Sequence, residues 1–153
     1  MAGYSLFTYI FGVKDRHNGN ILLDRQGHMI HIDFGFILQN TPGGMNFESA
    51  PFKLTQEYVD LMDGADSDKF EMFRSLLQAG LEQVRKNLDE ILTLVTIMMK
   101  DSKMPCFKNT ELLVKEIKDR ICTKDIIIDN KTNEFYELSD RLAKASNNNW
   151  RTI

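Results

Sequence analysis

The chain has 153 residues, enough for one domain with a core of its own. Hydrophobic residues at 42%, charged residues at 27% and a net charge of -3 are ordinary for a soluble globular protein, and they exclude the global basic character of a nucleic-acid binder. Two cysteines, Cys106 and Cys122, do not make a disulfide framework and read as reduced thiols.

The first segment, residues 2–11, is apolar but lacks a basic n-region and a cleavage pattern, so it predicts a buried helix and not a signal peptide. A polar loop follows over residues 14–20. Residues 21–24 predict a short strand. Arg25-Gln26-Gly27 predicts a turn, with Gly27 free to take positive φ. Residues 28–32 alternate polar and apolar side chains as a second strand would, closing a β-hairpin. Residues 39–51 have neither helical nor strand period and predict a long loop.

Thr55 is placed to cap a helix running to about Met62, closed by Asp63-Gly64. From Ser67 to about Lys100 the pattern is helical, with one apolar stripe at Phe70, Phe73, Leu76, Leu77 and Leu81 and another at Leu88, Leu92, Val95 and Met99. The change of phase between Gly80 and Asn87 predicts two helices or a kink, with Pro105 stopping the second. Residues 88–99 are too few to span a membrane, which takes roughly 20. Thr110 is placed to cap a further helix to about Arg120, with Leu112, Leu113 and Ile117 inward. A last helix is expected over residues 134–145, ended by the run from Asn147 to Asn149. The fold class is mainly α with one short β-hairpin.

The hairpin positions the candidate chemistry. Asn20 precedes its first strand and Asp33 follows its second, so an antiparallel pair places the two side by side, about 5 Å apart. An amide oxygen and a carboxylate together suit Mg²⁺, although such a pair also arises by chance. Just upstream stands Asp15-Arg16-His17. The order Asp-Arg-His-x-x-Asn, hairpin, Asp33-Phe34-Gly35 supplies a base, a cation and two metal ligands in one stretch. Protein kinases use the reversed triplet, an Asn and Asp-Phe-Gly for these tasks. His28 and His31 alternate on a strand without sharing a face, and read as neutral, hydrogen-bonded histidines.

The run Val13-Lys14-Asp15-Arg16-His17-Asn18-Gly19-Asn20-Ile21-Leu22-Leu23-Asp24 resembles the catalytic loop of the phosphoinositide kinase superfamily, and within it the type III phosphatidylinositol 4-kinases, the beta form more than the alpha. Residues 27–38, Phe52-Lys53-Leu54-Thr55 and Pro105-Cys106-Phe107 resemble it as well. The resemblance covers residues 2–107 and fades from Lys108 onward.

That resemblance implies the C-lobe of a protein-kinase-like fold, with a catalytic loop over residues 12–20, an activation loop over 31–55 and C-terminal helices over 55–153. It implies ATP-dependent phosphorylation of phosphatidylinositol at the inositol 4-hydroxyl. Asp15 and His17 match the positions that deprotonate the hydroxyl, either one being the base. Asn20 and Asp33 match ligands of Mg²⁺, with Mn²⁺ as an alternative. Lys14 and Asp33 lie on the ATP phosphate side. Arg16 either meets phosphate or pairs with a carboxylate and holds the loop in shape, the latter being favoured. Phe34, Gly35 and Lys53 belong to the substrate loop, where Lys53 is a headgroup contact or a solvated side chain.

Between Phe34 and Leu54 the loop carries one cation, Lys53, and one anion, Glu48. Ring phosphates would call for several Lys or Arg, so the loop suits an unphosphorylated inositol ring. Only 13 residues precede Lys14, so the N-lobe that covers ATP is expected outside this chain, and the chain alone is expected to be inactive. The expected partners are phosphatidylinositol in a membrane surface and the N-lobe and upstream regions of a longer protein, with no nucleic acid. The expected location is cytoplasmic, peripheral to Golgi-type membranes. The alternatives are a protein Ser/Thr kinase of the related branch and a non-catalytic binding module.

Overall fold

The computed structural model describes residues 1–44 and 50–122. Its elements are α1 (Ala2–Phe11), β1 (Ile21–Leu23), β2 (Met29–His31), α2 (Gln56–Leu61), α3 (Asp68–Lys86), α4 (Leu88–Met99) and α5 (Thr110–Ile121), with 3-10 turns at Asn18–Asn20 and Pro42–Gly44. The strands form an antiparallel pair in the register Ile21↔His31, Leu22↔Ile30 and Leu23↔Met29. Gly27 turns the hairpin at φ 86, and Asp24 stabilises the turn by accepting at Oδ1 from Gln26 N and His28 N, both at 2.8 Å. The expected helix over residues 134–145, its Asn147–Asn149 terminus and Glu48 lie outside the described residues.

α1 is the wall between two apolar clusters. On one side lie Phe52, Leu54, Val59 and the α3 stripe Phe70, Phe73, Leu77 and Leu81. On the other lie Ile10, Leu38, Cys106, the α4 stripe Leu92, Val95 and Met99, and the α5 stripe Leu113, Ile117 and Ile121. Leu6 and Tyr9 of α1 pack against both. α1 and α3 approach closely enough that a Cβ built on Gly80 meets Leu6 Cδ2 at 2.6 Å.

Several expectations are corrected in detail. Leu76 is 56% exposed and Leu112 is 49% exposed. Each precedes a buried leucine by one position, which turns it about 100° away from the buried face. Residues 67–100 do form two helices, α3 and α4, meeting at Asn87. α4, however, ends at Met99, well before Pro105, because Lys100 leaves helical backbone and Asp101 takes φ 59. α5 is capped by Asn109 in place of Thr110, its side chain accepting from Leu112 N at 2.9 Å. Thr55 stands at the start of α2 without a side-chain cap bond to the backbone. No described helix is long and apolar enough to cross a membrane.

Candidate active site

α1 delivers the chain into the polar loop. Val13 N donates to Thr8 O at 2.9 Å as the helix ends. Two backbone bonds then join the loop before the hairpin to the segment after it: Lys14 N to Phe36 O and Leu38 N to Phe11 O, both 2.8 Å. The hairpin itself is extended by Ile32 N donating to Asn20 O at 3.0 Å. Asn20 therefore faces Ile32, and Asp33 stands one residue beyond it, not opposite as the spacing predicts. The register is the reason: with Ile21 opposite His31, Asn20 falls opposite Ile32, and Asp33, at φ 55, leaves the extended ladder one residue later.

Arg16 sits at the centre, 2% exposed. Its Nε donates to Lys14 O at 2.9 Å, Nη1 to Ile32 O at 2.8 Å and Nη2 to Asp33 O. The guanidinium carbon also lies 5.6 Å from the centre of the Phe34 ring. A buried cation is tolerated where its donors are satisfied. These bonds join both sides of the hairpin and turn Arg16 inward, so it holds the loop in shape through the carbonyls of Lys14, Ile32 and Asp33.

The other polar groups are set around this clamp. Asn20 is buried and its Nδ2 donates to Asp15 O at 2.9 Å, which fixes the orientation of the amide. Asp15 has φ 61, and its Oδ2 lies 3.9 Å from His17 Nε2, with the two side chains 41% and 60% exposed. His17 Nδ1 accepts from Gly19 N at 3.0 Å. Gly19 is required there, since a Cβ would lie 2.9 Å from the ring. Asp33 is exposed and its Oδ1 accepts from Gly35 N at 3.1 Å. Lys14 Nζ donates to the carbonyls of Gly12 and Leu38, at 3.3 and 3.1 Å. Lys53 Nζ donates to Asn18 Oδ1 at 2.6 Å, linking the segment that leads into α2 to the polar loop before the hairpin. An open cleft of about 470 Å³ lies beside this link, between Ile21, Leu23 and Met29 on the hairpin and Lys53, Glu57 and Tyr58.

His28 precedes β2 and only His31 lies on it, and the two have separate structural roles. His28 Nδ1 lies 2.8 Å from Asp24 Oδ2, and the His28 backbone N–H is the main cause holding that carboxyl below its ordinary range. His31 stacks on Tyr4, the ring centroids 4.1 Å apart and 12° from parallel. Burial, then the nearby Arg16 cation, pushes its pKa down to about 4, so the ring is neutral. Its Nδ1 is buried with no hydrogen-bond partner among the described residues, which departs from the expected hydrogen-bonded state. Among the described residues no group of three or more His, Cys, Asp or Glu gathers. Asn20 and Asp33 offer two hard oxygen donors, a set that suits a cation completing its sphere with water and phosphate.

Two supports of the site escape a reading by motif. The face of α1 carrying Tyr4, Phe7 and Phe11 points at the hairpin and its exit: Tyr4 meets His31, and Phe7 meets Phe34 edge-on, 5.9 Å between centroids. The signal lies in their spacing at i, i+3 and i+7, one helical face. Gln39 is the second: its Oε1 accepts from Lys108 N at 3.0 Å and Asn109 N at 2.9 Å. No local pattern announces a contact across that sequence separation.

Comparison with known proteins adds the following. The sequence model of a family described as "Phosphatidylinositol 3- and 4-kinase" matches residues 1–109. The chain is 54% identical over 120 residues to a phosphatidylinositol 4-kinase of Dictyostelium discoideum, covering 78% of this chain and 10% of that protein. It is 52% identical over 124 residues to phosphatidylinositol 4-kinase beta 1 of Arabidopsis thaliana, covering 78% and 11%. It is 44% identical over 146 residues to a phosphatidylinositol 4-kinase of Schizosaccharomyces pombe, covering 95% and 16%. The chain thus corresponds to a small part of the length of each of these relatives.

Proposed function

The chain belongs to the phosphatidylinositol 3- and 4-kinase family, and from that premise we propose that it is the C-lobe portion of a catalytic domain that phosphorylates phosphatidylinositol at the inositol 4-hydroxyl with ATP. The observation that carries the reading is the Arg16 clamp, whose bonds to Ile32 and Asp33 tie the Asp15–His17 loop to the Asp33-Phe34-Gly35 turn. Relatives at 44% to 54% identity bear the name phosphatidylinositol 4-kinase, which favours the lipid over a protein substrate. The remaining lobe and the phosphate-covering loop belong to the longer polypeptide.

In this reading the labour is divided among this chain's residues. Asn20 and Asp33 would hold the divalent cation, Mg²⁺ in this reading. When bound with nucleotide, the cation neutralises phosphate charge and orients the transferred group. The acceptor hydroxyl needs a base. His17 Nδ1 takes the Gly19 N–H, which leaves Nε2 as the ring nitrogen on the side of Asp15 Oδ2, 3.9 Å away. In this reading Asp15 is the base and His17 orients it. Lys53 stands at the far side of the substrate segment, where a single cation suits a headgroup without ring phosphates. The protein works as a peripheral membrane enzyme on the cytoplasmic side.

The test is turnover of phosphatidylinositol with Mg²⁺ and ATP by the full polypeptide that carries this chain, with the phosphate position in the product determined. Asp33→Ala is expected to lower kcat at least about a hundredfold, the scale of lost cation catalysis. Asp15→Asn is expected to lower it about 10²- to 10⁴-fold, the range for a general base, and His17→Gln by less. Equal losses at positions 15 and 17 would return the base to an open question. A product with phosphate at the 3-position would move the chain to the sister branch.

A further inference from the structure

The last turn of α4 and the connector to α5 combine apolar exposure with positive charge. Ile97, Met98 and Met104 are 64%, 63% and 57% exposed. Lys100, Lys103 and Lys108 are exposed in the same stretch. Residues 97–108 hold only one carboxylate, Asp101, in a chain whose net charge is -3, so the local sign is reversed.

The connector is held in place. Ser102 N donates to Met99 O at 3.1 Å, Phe107 N to Met104 O at 3.0 Å, and Cys106 is buried in the second cluster. The two Gln39 bonds to Lys108 N and Asn109 N fasten it to the start of the substrate segment. That segment carries one cation and one anion between Phe34 and Leu54 and brings no net attraction to a charged surface. The connector beside it supplies one.

We propose that the end of α4 and the α4–α5 connector form a lipid-surface contact that seats on an anionic bilayer beside the substrate segment. The apolar side chains enter the boundary between headgroups and acyl chains, and the lysine stems lie along it with their ammonium groups at phosphate. Lysine is depleted from protein–protein interfaces, which favours lipid as the occupant. The contact rests on the lipid-kinase reading in one respect: a bilayer presenting phosphatidylinositol is itself anionic, so surface and substrate share a charge.

The experiment uses the full polypeptide and two vesicle types, phosphatidylcholine alone and phosphatidylcholine with phosphatidylserine. The variants are Lys100→Glu/Lys103→Glu/Lys108→Glu and Met98→Gln/Met104→Gln, compared with wild type by co-sedimentation. A lysine near an anionic surface contributes roughly a fivefold factor in binding, so the triple variant is expected to lose at least about tenfold in partition onto the anionic vesicles. The methionine variant is expected to lose partition onto both vesicle types. Turnover of a monomeric short-chain phosphatidylinositol is expected to stay at the wild-type level in both, while the apparent KM for vesicular substrate rises.

Wild-type partition that both variants retain would overturn the proposal and leave the patch to a protein partner. Failure of wild type to bind anionic vesicles would overturn it as well. Should the wild type turn over neither substrate, the kinase reading fails on its own, and the co-sedimentation still decides the contact. A variant that loses monomer turnover has lost its fold, and Lys100→Gln/Lys103→Gln/Lys108→Gln then replaces it.

Discussion

Arg16 and His31 stand within the same few ångströms of backbone and are treated oppositely by it. The Arg16 guanidinium is accommodated in the interior because the carbonyls of Lys14, Ile32 and Asp33 accept hydrogen bonds from its N–H groups. His31, buried and close to that cation, stays neutral with a pKa of about 4 against an ordinary 6.5. The folded pKa is depressed, so the unfolded chain binds the extra proton between the two values. Stability is full above about pH 6.5 and is lost as pH falls toward about 4. The expected slope amounts to about 1–3 kcal/mol over that window. Urea titrations at several pH values, in chelator to exclude metal, read it against His31→Phe. An equal slope in the variant would assign the acid sensitivity to other groups. The grouping of Asp15, His17, Asn20 and Asp33 around one hairpin was legible because short-range spacing carries it. The inward turn of Arg16 toward carbonyls was not, since spacing says nothing about which groups a five-donor fork will find.

At the level of elements, the helices are set by stripes and stops that the sequence displays unevenly. The break at Asn87 is visible as a change of phase, and the hairpin as two alternating runs about Gly27. The end of α4 is not, because Asp101 in left-handed backbone leaves no signal as plain as proline. The crossing of α1 and α3 belongs to this scale too. At Gly80 a methyl would lie 2.6 Å from Leu6 Cδ2, the end of a side chain with room to rotate. Gly80→Ala is therefore expected to be close to neutral, since a helix gain of about 1 kcal/mol offsets the shift of Leu6. Gly80→Leu has no such relief and is expected to destabilise by about 1–3 kcal/mol. Adding Leu6→Ala should recover part of that loss. Urea unfolding of the four proteins checks it, and an unchanged midpoint in Gly80→Leu would show that the crossing tolerates a wider separation.

Across the whole molecule, α1 belongs to both apolar clusters and couples them. Leu77 in the first and Leu113 in the second are each fully buried. Truncating either to alanine is expected to cost about 2–5 kcal/mol. With α1 packed against both sides, and Tyr9 Oη donating to Arg120 O at 2.8 Å as a further tie, both variants should shift the same cooperative transition. Calorimetry that resolves two transitions, each moved by only one variant, would contradict a shared wall. The division into two clusters around one helix was not legible from the stripes, because periodicity tells which face of a helix is buried and not against what.

Gln39 and Lys53 fasten residues 39–53 at their two ends, to the α4–α5 connector and to Asn18. In polymer terms, the stretch between them is a closed loop whose endpoints are set by the scaffold. The entropy of closing such a loop changes only logarithmically with its length, by about 0.6 kcal/mol for each doubling. Residues between Gln39 and the buried Phe52 can therefore be inserted, removed or exchanged at much lower cost to folding than core positions. In the proposed lipid-kinase reading, what this segment recognises and the stability of the fold then become nearly independent quantities.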